Sequence, residues 1–325
     1  MRSIKFLGAI AGAILALGAT SAMAQSNPYN SLKVVNGAPV LNICTGEEGG
    51  GYWKIGQTIA NHLESNGFRG NVIATDGTTA NIKGANAIKT GINPVTFRGQ
   101  QYPCHIVVYQ TDGTAVLTDF KSVVEKVANI YDEPVLLITR QGGNFDHIDD
   151  FEKKGNLCVR KNSGGALTIQ AFAKLEDDYA DVAANRVVEK RSWKECVDAL
   201  NSKDGNTYEV DGIFYVGSPT SDFMQKDVDP TAGVKGTKMT LATVRDGDLD
   251  DDGVYEKVQV RSKLFKNLLG WGDRDTMSVR SAIGISKPLA DMLNGKGMLD
   301  PVTTAIRNAA KKINADYARI DPLDR

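Results

Sequence analysis

The chain has 325 residues, 38 Lys and Arg against 39 Asp and Glu, and a formal net charge of −1. Balanced charge, with no basic stripe interleaved with aromatics, excludes nucleic acid as a partner. The length exceeds what a single core usually supports and points to two domains.

The first 24 residues read as an export leader. Arg2 and Lys5 give a positive start, Phe6 to Leu17 an apolar run, and Ala22-Met23-Ala24 a small-x-small cleavage pattern before Gln25. The run is shorter than the roughly 20 strongly apolar residues of a membrane anchor and is rich in Gly and Ala. Cleavage after Ala24 is expected to leave a periplasmic chain of 301 residues (325 less 24) with 36 basic and 39 acidic groups. In that oxidising compartment Cys44, Cys104, Cys158 and Cys196 are expected in disulfides, and their spacings match no zinc pattern. Four cysteines allow three connectivities.

Strands and helices then alternate. Pro39 to Cys44 reads as a short apolar strand, followed by a glycine-rich loop, Gly46 to Gly51. Tyr52, Ile55, Ile59 and Leu63 mark one face of a helix that Gly67 ends. Asn71 to Ala74 is a second strand, Thr75 to Thr79 its loop, and a short helix runs from Asn81 to Gly91. Asn93 to Cys104, with two prolines and no clear period, reads as an insertion loop. His105 to Tyr109 is a third strand. Phe120, Val123, Val127 and Ile130 fall at helical spacing and predict a helix before the apolar strand Pro134 to Thr139. The polar, glycine-rich Gln141 to Asn144 suits a crossing between lobes.

The second lobe repeats the scheme. Asn156 to Val159 is a strand, Asn162 to Gly165 a loop, and Ala166 to Leu175 a helix. Ser192 and Glu195 form a capping box for a helix with Trp193, Val197 and Leu200 on its inner face. Asp211 to Val216 is the next strand. Asp300 and Pro301 predict the cap and first position of a C-terminal helix burying Val302, Ile306, Ala309, Ile313, Tyr317 and Ile320. This order implies an α/β fold, mostly parallel sheets with helices on both faces. Each lobe then holds one nearby cysteine pair, Cys44 with Cys104 and Cys158 with Cys196.

In such sheets ligands sit beyond the carboxyl ends of strands, where loops feed helix starts. Five polar loops stand there: Thr45 to Tyr52, Thr75 to Asn81, Gln110 to Gly113, Asn162 to Gly165, and Gly217 to Thr220. Glycine lets backbone approach a ligand, and helix starts offer free N–H groups to an anion. No phosphate-loop pattern is present.

Several segments together resemble one family. They are Cys44 to Gly56 (CTGEEGGGYWKIG), Thr75 to Gly91 (TDGTTANIKGANAIKTG) and Ile130 to Arg140 (IYDEPVLLITR), then Val159 to Thr168 and Cys196 to Thr220. In this order, from about Asn42 to Phe223, the chain is similar to the TAXI-type solute receptors of TRAP transporters. That resemblance implies a two-lobed type II periplasmic binding-protein fold. It places residues 25–134 and 229–325 in lobe I and residues 135–228 in lobe II. It also implies a non-enzymatic, monomeric receptor that closes on a small carboxylate or amino acid and delivers it to TRAP membrane subunits. Its cleft residues map onto Glu48, Gly49, Tyr52, Thr78, Thr79, Gln110, Thr111, Ser163, Gly164, Gly217 and Ser218. The chain departs from the family at Glu47, Glu48, Arg160 and Lys161, where small neutral residues are usual, and at the 93–104 insertion. Arg160 would grip a carboxylate and Glu48 would accept an ammonium group.

Asp248 to Glu256 fits an Asp-x-Asp-x-Asp-Gly calcium loop. Asp248, Asp250 and Asp252 would donate carboxylates, Val254 a carbonyl, and Glu256 the ninth position, but Gln259 stands where the bidentate Glu belongs. Thr240 to Val244 and Val254 to Val260 look like strands, so the expectation is a hairpin loop holding a structural Ca2+. The histidines, His62, His105 and His147, are scattered, and no hydrolase or zinc-protease motif occurs, so an enzyme on this fold is the weaker reading. A periplasmic ligand sensor working with a membrane receptor needs the same closure and stays open as an alternative.

Overall fold

The structure, a computed structural model, describes residues 31–204, 207–234, 239–245, 248–249, 253–268, 272–320 and 322–324. The expected leader, residues 1–24, lies outside them, as do Asp250 and Asp252 of the expected calcium loop.

In the first lobe β1 (Ala38–Cys44) leads into α1 (Gly51–Glu64), and β2 (Arg69–Ile73) into α2 (Thr78–Thr90). α1 buries Ile55, Ile59 and Leu63, the face its spacing predicts, and α2 stops at Gly91 in a left-handed conformation (φ 71°) that a side chain would resist. β3 (Val95–Phe97) and β4 (Gln100–Tyr102) precede β5 (Ile106–Gln110). The expected insertion loop is therefore a hairpin, turned by Arg98 (φ 48°) and Gly99 (φ 77°). Two positive φ angles match the right-handed twist of the strands, and the Arg-Gly pair was the overlooked signal.

From Phe120 the helix lasts one turn, to Val123, and β6 (Val124–Arg140) follows without a break. This corrects the helix expected across Phe120 to Ile130. The pairing of β6 with its neighbour slips twice, between Arg280 and Ala282 and between Ile283 and Gly284. Each slip shifts the alternation of buried positions, so a strand rich in β-branched residues imitates helical spacing.

Beyond β6 come β7 (Leu157–Arg160), α3 (Gly164–Leu175), β8 (Val187–Lys190), α4 (Trp193–Asn201) and β9 (Gly212–Val216). Ser192 Oγ accepts from Glu195 N at 3.2 Å, and the Glu195 carboxylate reaches back to Arg191 N at 3.1 Å, one residue before the box position. β10 (Met239–Ala242), β11 (Tyr255–Val260), β12 (Arg274–Ser286), α5 (Lys287–Asn294) and α6 (Leu299–Ile320) complete the order. α6 starts at Leu299, so Asp300 and Pro301 lie inside its first turn.

The strands are hydrogen-bonded in the order β1-β5-β12-β6-β9-β7-β8, with β2 beside β1, β10 beside β6 and β11 beside β12. The outer pairs β1–β2, β1–β5, β7–β8 and β7–β9 are parallel, as expected. The joint is antiparallel, because β6 and β12 are long enough to serve both lobes. Val124 to Pro134 pairs with β12, and Val135 to Thr139 pairs with β9.

The core divides accordingly. On the faces of the first sheet, Ile59, Leu63, Val302 and Ile306 gather on one side and Ile82, Val95 and Tyr109 on the other. On the second, Phe172, Tyr179 and Phe214 oppose Trp193, Leu200 and Ile213. Each buried Leu or Ile contributes about 1.5–3 kcal/mol relative to exposure. Ala242, Val244, Leu249, Tyr255 and Met277 pack in the second lobe's clusters, so its core draws on chain beyond the 228/229 boundary expected from sequence. Among the described residues β10 pairs with β6 and β11 with β12 and not with each other, in place of the expected acidic hairpin. Cys44–Cys104 and Cys158–Cys196 are bonded as expected, with Cα separations of 5.5 and 5.6 Å.

Candidate functional site

A cleft of about 580 Å³ lies where the two lobes meet. The first lobe supplies the glycine loop, Tyr52, Thr78 and Gln110. The crossing strand β6 supplies Tyr131 and Glu133. The second lobe supplies Arg160, Ser163, Gly164, Trp193 and the Tyr215 to Phe223 loop. Of the twelve expected ligand-binding residues, ten line this cleft: Glu48, Gly49, Tyr52, Thr78, Gln110, Arg160, Ser163, Gly164, Gly217 and Ser218. Thr79 and Thr111 do not. Thr79 sits one residue on from Thr78 along α2, on a different side of the helix, and Thr111 N is engaged by Arg280 O at 2.9 Å.

The loops are pinned from below. Asn81 Nδ2 donates to Thr45 O at 2.6 Å and to Val108 O at 2.8 Å, tying α2 to the end of β1 and the middle of β5. Thr78 Oγ1 accepts from Gln110 N at 3.1 Å. Ser163 caps α3 by accepting from Ala166 N at 3.3 Å. Gly164 permits the Gln110 amide to lie against it, since a Cβ there would collide with that amide.

Two charged groups expected to meet ligand have protein partners. Arg160 Nη1 lies 3.0 Å from Glu47 Oε2, an ion pair between the lobes, while its Nε is buried with no partner. Glu48 pairs with Arg98 Nη2 of the hairpin at 2.7 Å, an exposed ion pair at the edge of the cleft.

A different carboxylate fills the floor. Glu133 is 6% exposed, and its Oε2 accepts from Tyr52 OH at 2.7 Å and Ser281 Oγ at 2.6 Å. Burial pushes its carboxyl up to about 7, partly offset by these donors. Burial, then the nearby Glu133 charge, raises the Tyr52 and Tyr131 hydroxyls. Rings line both sides. Tyr131 stacks on Tyr317 with centroids 4.1 Å apart, and Trp193 lies 5.0 Å from both Tyr215 and Phe223. The expectation that Tyr317 and Ile320 are buried in the core gives way here: both line the cleft.

Close by, Asp112 of the first lobe is fully buried and accepts from Thr168 Oγ1 at 2.6 Å and Tyr255 OH at 3.2 Å, both packed with the second. Burial pushes this carboxyl up to about 6.

The sequence reading missed Tyr131, Glu133, Tyr215 and Phe223 as site residues. The available signal was Glu133 itself, a charged residue leading into an apolar strand, where a carboxylate needs a reason to be. Among the described residues no histidine or cysteine lines the cleft. His105 is buried and accepts from Asn42 N at 2.9 Å, and burial lowers it to about 4, so it is neutral. Among the described residues no cluster of three His, Cys, Asp or Glu could hold a metal. Glu256, expected to ligate calcium, projects from β11 onto Arg280 at 2.8 Å.

The fold and the cleft define a two-lobed α/β protein with a polar, ring-lined cavity at the joint. No family model matches the chain. Among solved structures it is similar to an ancestral arginine-binding protein bound to arginine, at 11% identity over 86% of this chain and 95% of that one, with a TM-score of 0.47. It is also similar to an ABC uptake transporter substrate-binding protein from Streptococcus pneumoniae with bound histidine (12%, 84% and 87%, TM-score 0.45). A third is a putative periplasmic sulfonate-binding protein from Methylobacillus flagellatus KT (11%, 88% and 73%, TM-score 0.47).

Proposed function

We propose that this chain is an exported, non-catalytic receptor that captures a small carboxylate or amino acid and hands it to the membrane subunits of a TRAP-type transporter. The observation that carries the reading is a pair of buried, unpartnered side-chain atoms on two residues that line the cleft. Arg160 Nε is a donor and Gln110 Oε1 an acceptor, and neither has a partner. An unpaired buried polar group costs about 1–3 kcal/mol, so a ligand that supplies both partners recovers that cost. One atom belongs to each lobe, so such a ligand favours the closed arrangement. The start of α3 beside Arg160 favours a carboxylate at that end. The ordered resemblance from Asn42 to Phe223 supports the TRAP assignment, and residues 1–24 support export.

The calcium expectation continues as a proposal on the sequence pattern of Asp248, Asp250, Asp252 and the Val254 carbonyl, without Glu256, which Arg280 holds. A thermal-shift screen of carboxylates and amino acids tests the receptor reading. At least one should raise the melting temperature in a saturable way. No response across the panel would overturn it.

A further inference from the structure

We propose that the cleft selects for an amine: its ligand is an amino acid and not a simple carboxylate, with the ammonium against Glu133 and Gln110 Oε1 and the carboxylate at Arg160. This rests on the receptor reading and narrows its ligand class.

Glu133 has no basic partner among the described residues. The groups facing it are Tyr52 from α1, Ser281 from β12, Gln110 from β5, Tyr131 from its own strand, and the Asp112 carboxyl. Every direct contact is an uncharged donor. A buried carboxylate without a cation is costly, and a ligand ammonium supplies one. Gln110 is 2% exposed, and its amide nitrogen already serves Glu133, which leaves Oε1 needing an N–H donor. A 2-oxo acid offers no N–H and sets a neutral keto oxygen, itself an acceptor, beside Glu133 and Gln110 Oε1, and a dicarboxylate sets a second negative charge there. Tyr52, Tyr131 and Tyr215 line the same end, and ring faces favour a cation over an anion. The cations that line the cleft pair with other carboxylates than Glu133: Arg160 Nη1 meets Glu47, which leaves its Nε for the ligand carboxylate, and Lys54 Nζ lies 3.9 Å from Asp222.

The pairing has a proton signature. With its carboxyl near 7, Glu133 is about half protonated in neutral solution. An arriving ammonium favours the ionised form, so binding releases a fraction of a proton at pH 7. Below that pH the carboxyl must first be deprotonated, so affinity falls about tenfold from pH 8 to pH 6.

The test is calorimetry on the mature protein with the twenty amino acids and their matched 2-oxo acids, run at pH 7 in two buffers of different ionisation heat. The expected result is one amino acid binding at least 100-fold tighter than its 2-oxo acid, with proton release. In Glu133→Gln, shown folded by circular dichroism, that ratio should drop below tenfold and proton release should vanish. Equal or tighter binding of the 2-oxo acid overturns the amine proposal and leaves the receptor standing. Retention of selectivity and proton release in Glu133→Gln also overturns it. Absence of binding by both sets overturns the receptor reading itself.

Discussion

Arg160→Ala is the sharpest perturbation of the proposed carboxylate anchor. Only 16% of the Arg160 side chain is exposed, and its Nη1 meets Glu47 across the lobes at 3.0 Å. Glu47 is 52% exposed, so losing Arg160 leaves that carboxylate in water and strands no buried charge. The stability cost is therefore small, as for other half-exposed ion pairs. The binding cost is not. In the closed cleft the ligand carboxylate would lose the Arg160 guanidinium, a loss of about 2–5 kcal/mol. At about 1.4 kcal/mol per decade, affinity falls by roughly 30-fold to several thousand-fold. Calorimetry with the tightest ligand of the screen reads this directly, and Trp193, which lines the cleft, gives a fluorescence readout of the same titration. Glu47→Gln is the control, since it removes the ion pair and keeps the guanidinium, and its affinity should change less than tenfold. An Arg160→Ala variant within threefold of the parent would refute the anchoring role.

Three further outcomes are expected. Reduction of Cys44–Cys104, which closes a separation of 60 residues, should destabilise the first lobe by about 2–4 kcal/mol and lower its melting temperature, whereas an unchanged transition would show the bond to be dispensable. Asp112 is raised from 3.8 to about 6, so the unfolded chain ionises first and stability contributed by this group falls as pH rises between those values. Asp112→Asn keeps an acceptor for Thr168 and Tyr255 and should gain up to about 3 kcal/mol over the parent at pH 8 while matching it near pH 4, as read by urea unfolding at both pH values; equal stability at pH 8 would contradict the assignment. Calcium added to chelator-stripped protein should raise the melting temperature, and Asp250→Ala should abolish the rise.

The sequence disclosed those parts of the molecule where one periodicity runs undisturbed. α1, α4 and α6 each bury a stripe at spacings of three and four, and β5 and β9 are short apolar runs bounded by loops. The joint stayed hidden because β6 serves two lobes at once. Its first half is irregularly paired and its second half is buried on both faces, so neither a clean alternation nor a clean stripe results. β12 was not anticipated at all, and only its antiparallel partners explain why Arg274 to Ser286 is extended. The site followed the same division. Loop residues such as Thr78, Ser163 and Gly217 were legible from glycine and helix-start chemistry. Glu133 and Tyr131 were not, since they enter the cleft only because β6 passes beneath it. The partner of Glu48 was equally illegible, because the hairpin brings Arg98 to it from 50 residues away in sequence.

The central claim is capture without chemistry, and one measurement addresses it most directly. Mature protein is saturated with the ligand of the screen, freed of excess by gel filtration, denatured, and its released small molecule is quantified and weighed by mass spectrometry. The account predicts one molecule per chain, recovered with its mass unchanged. Recovery of a chemically altered molecule, or of none, would contradict it.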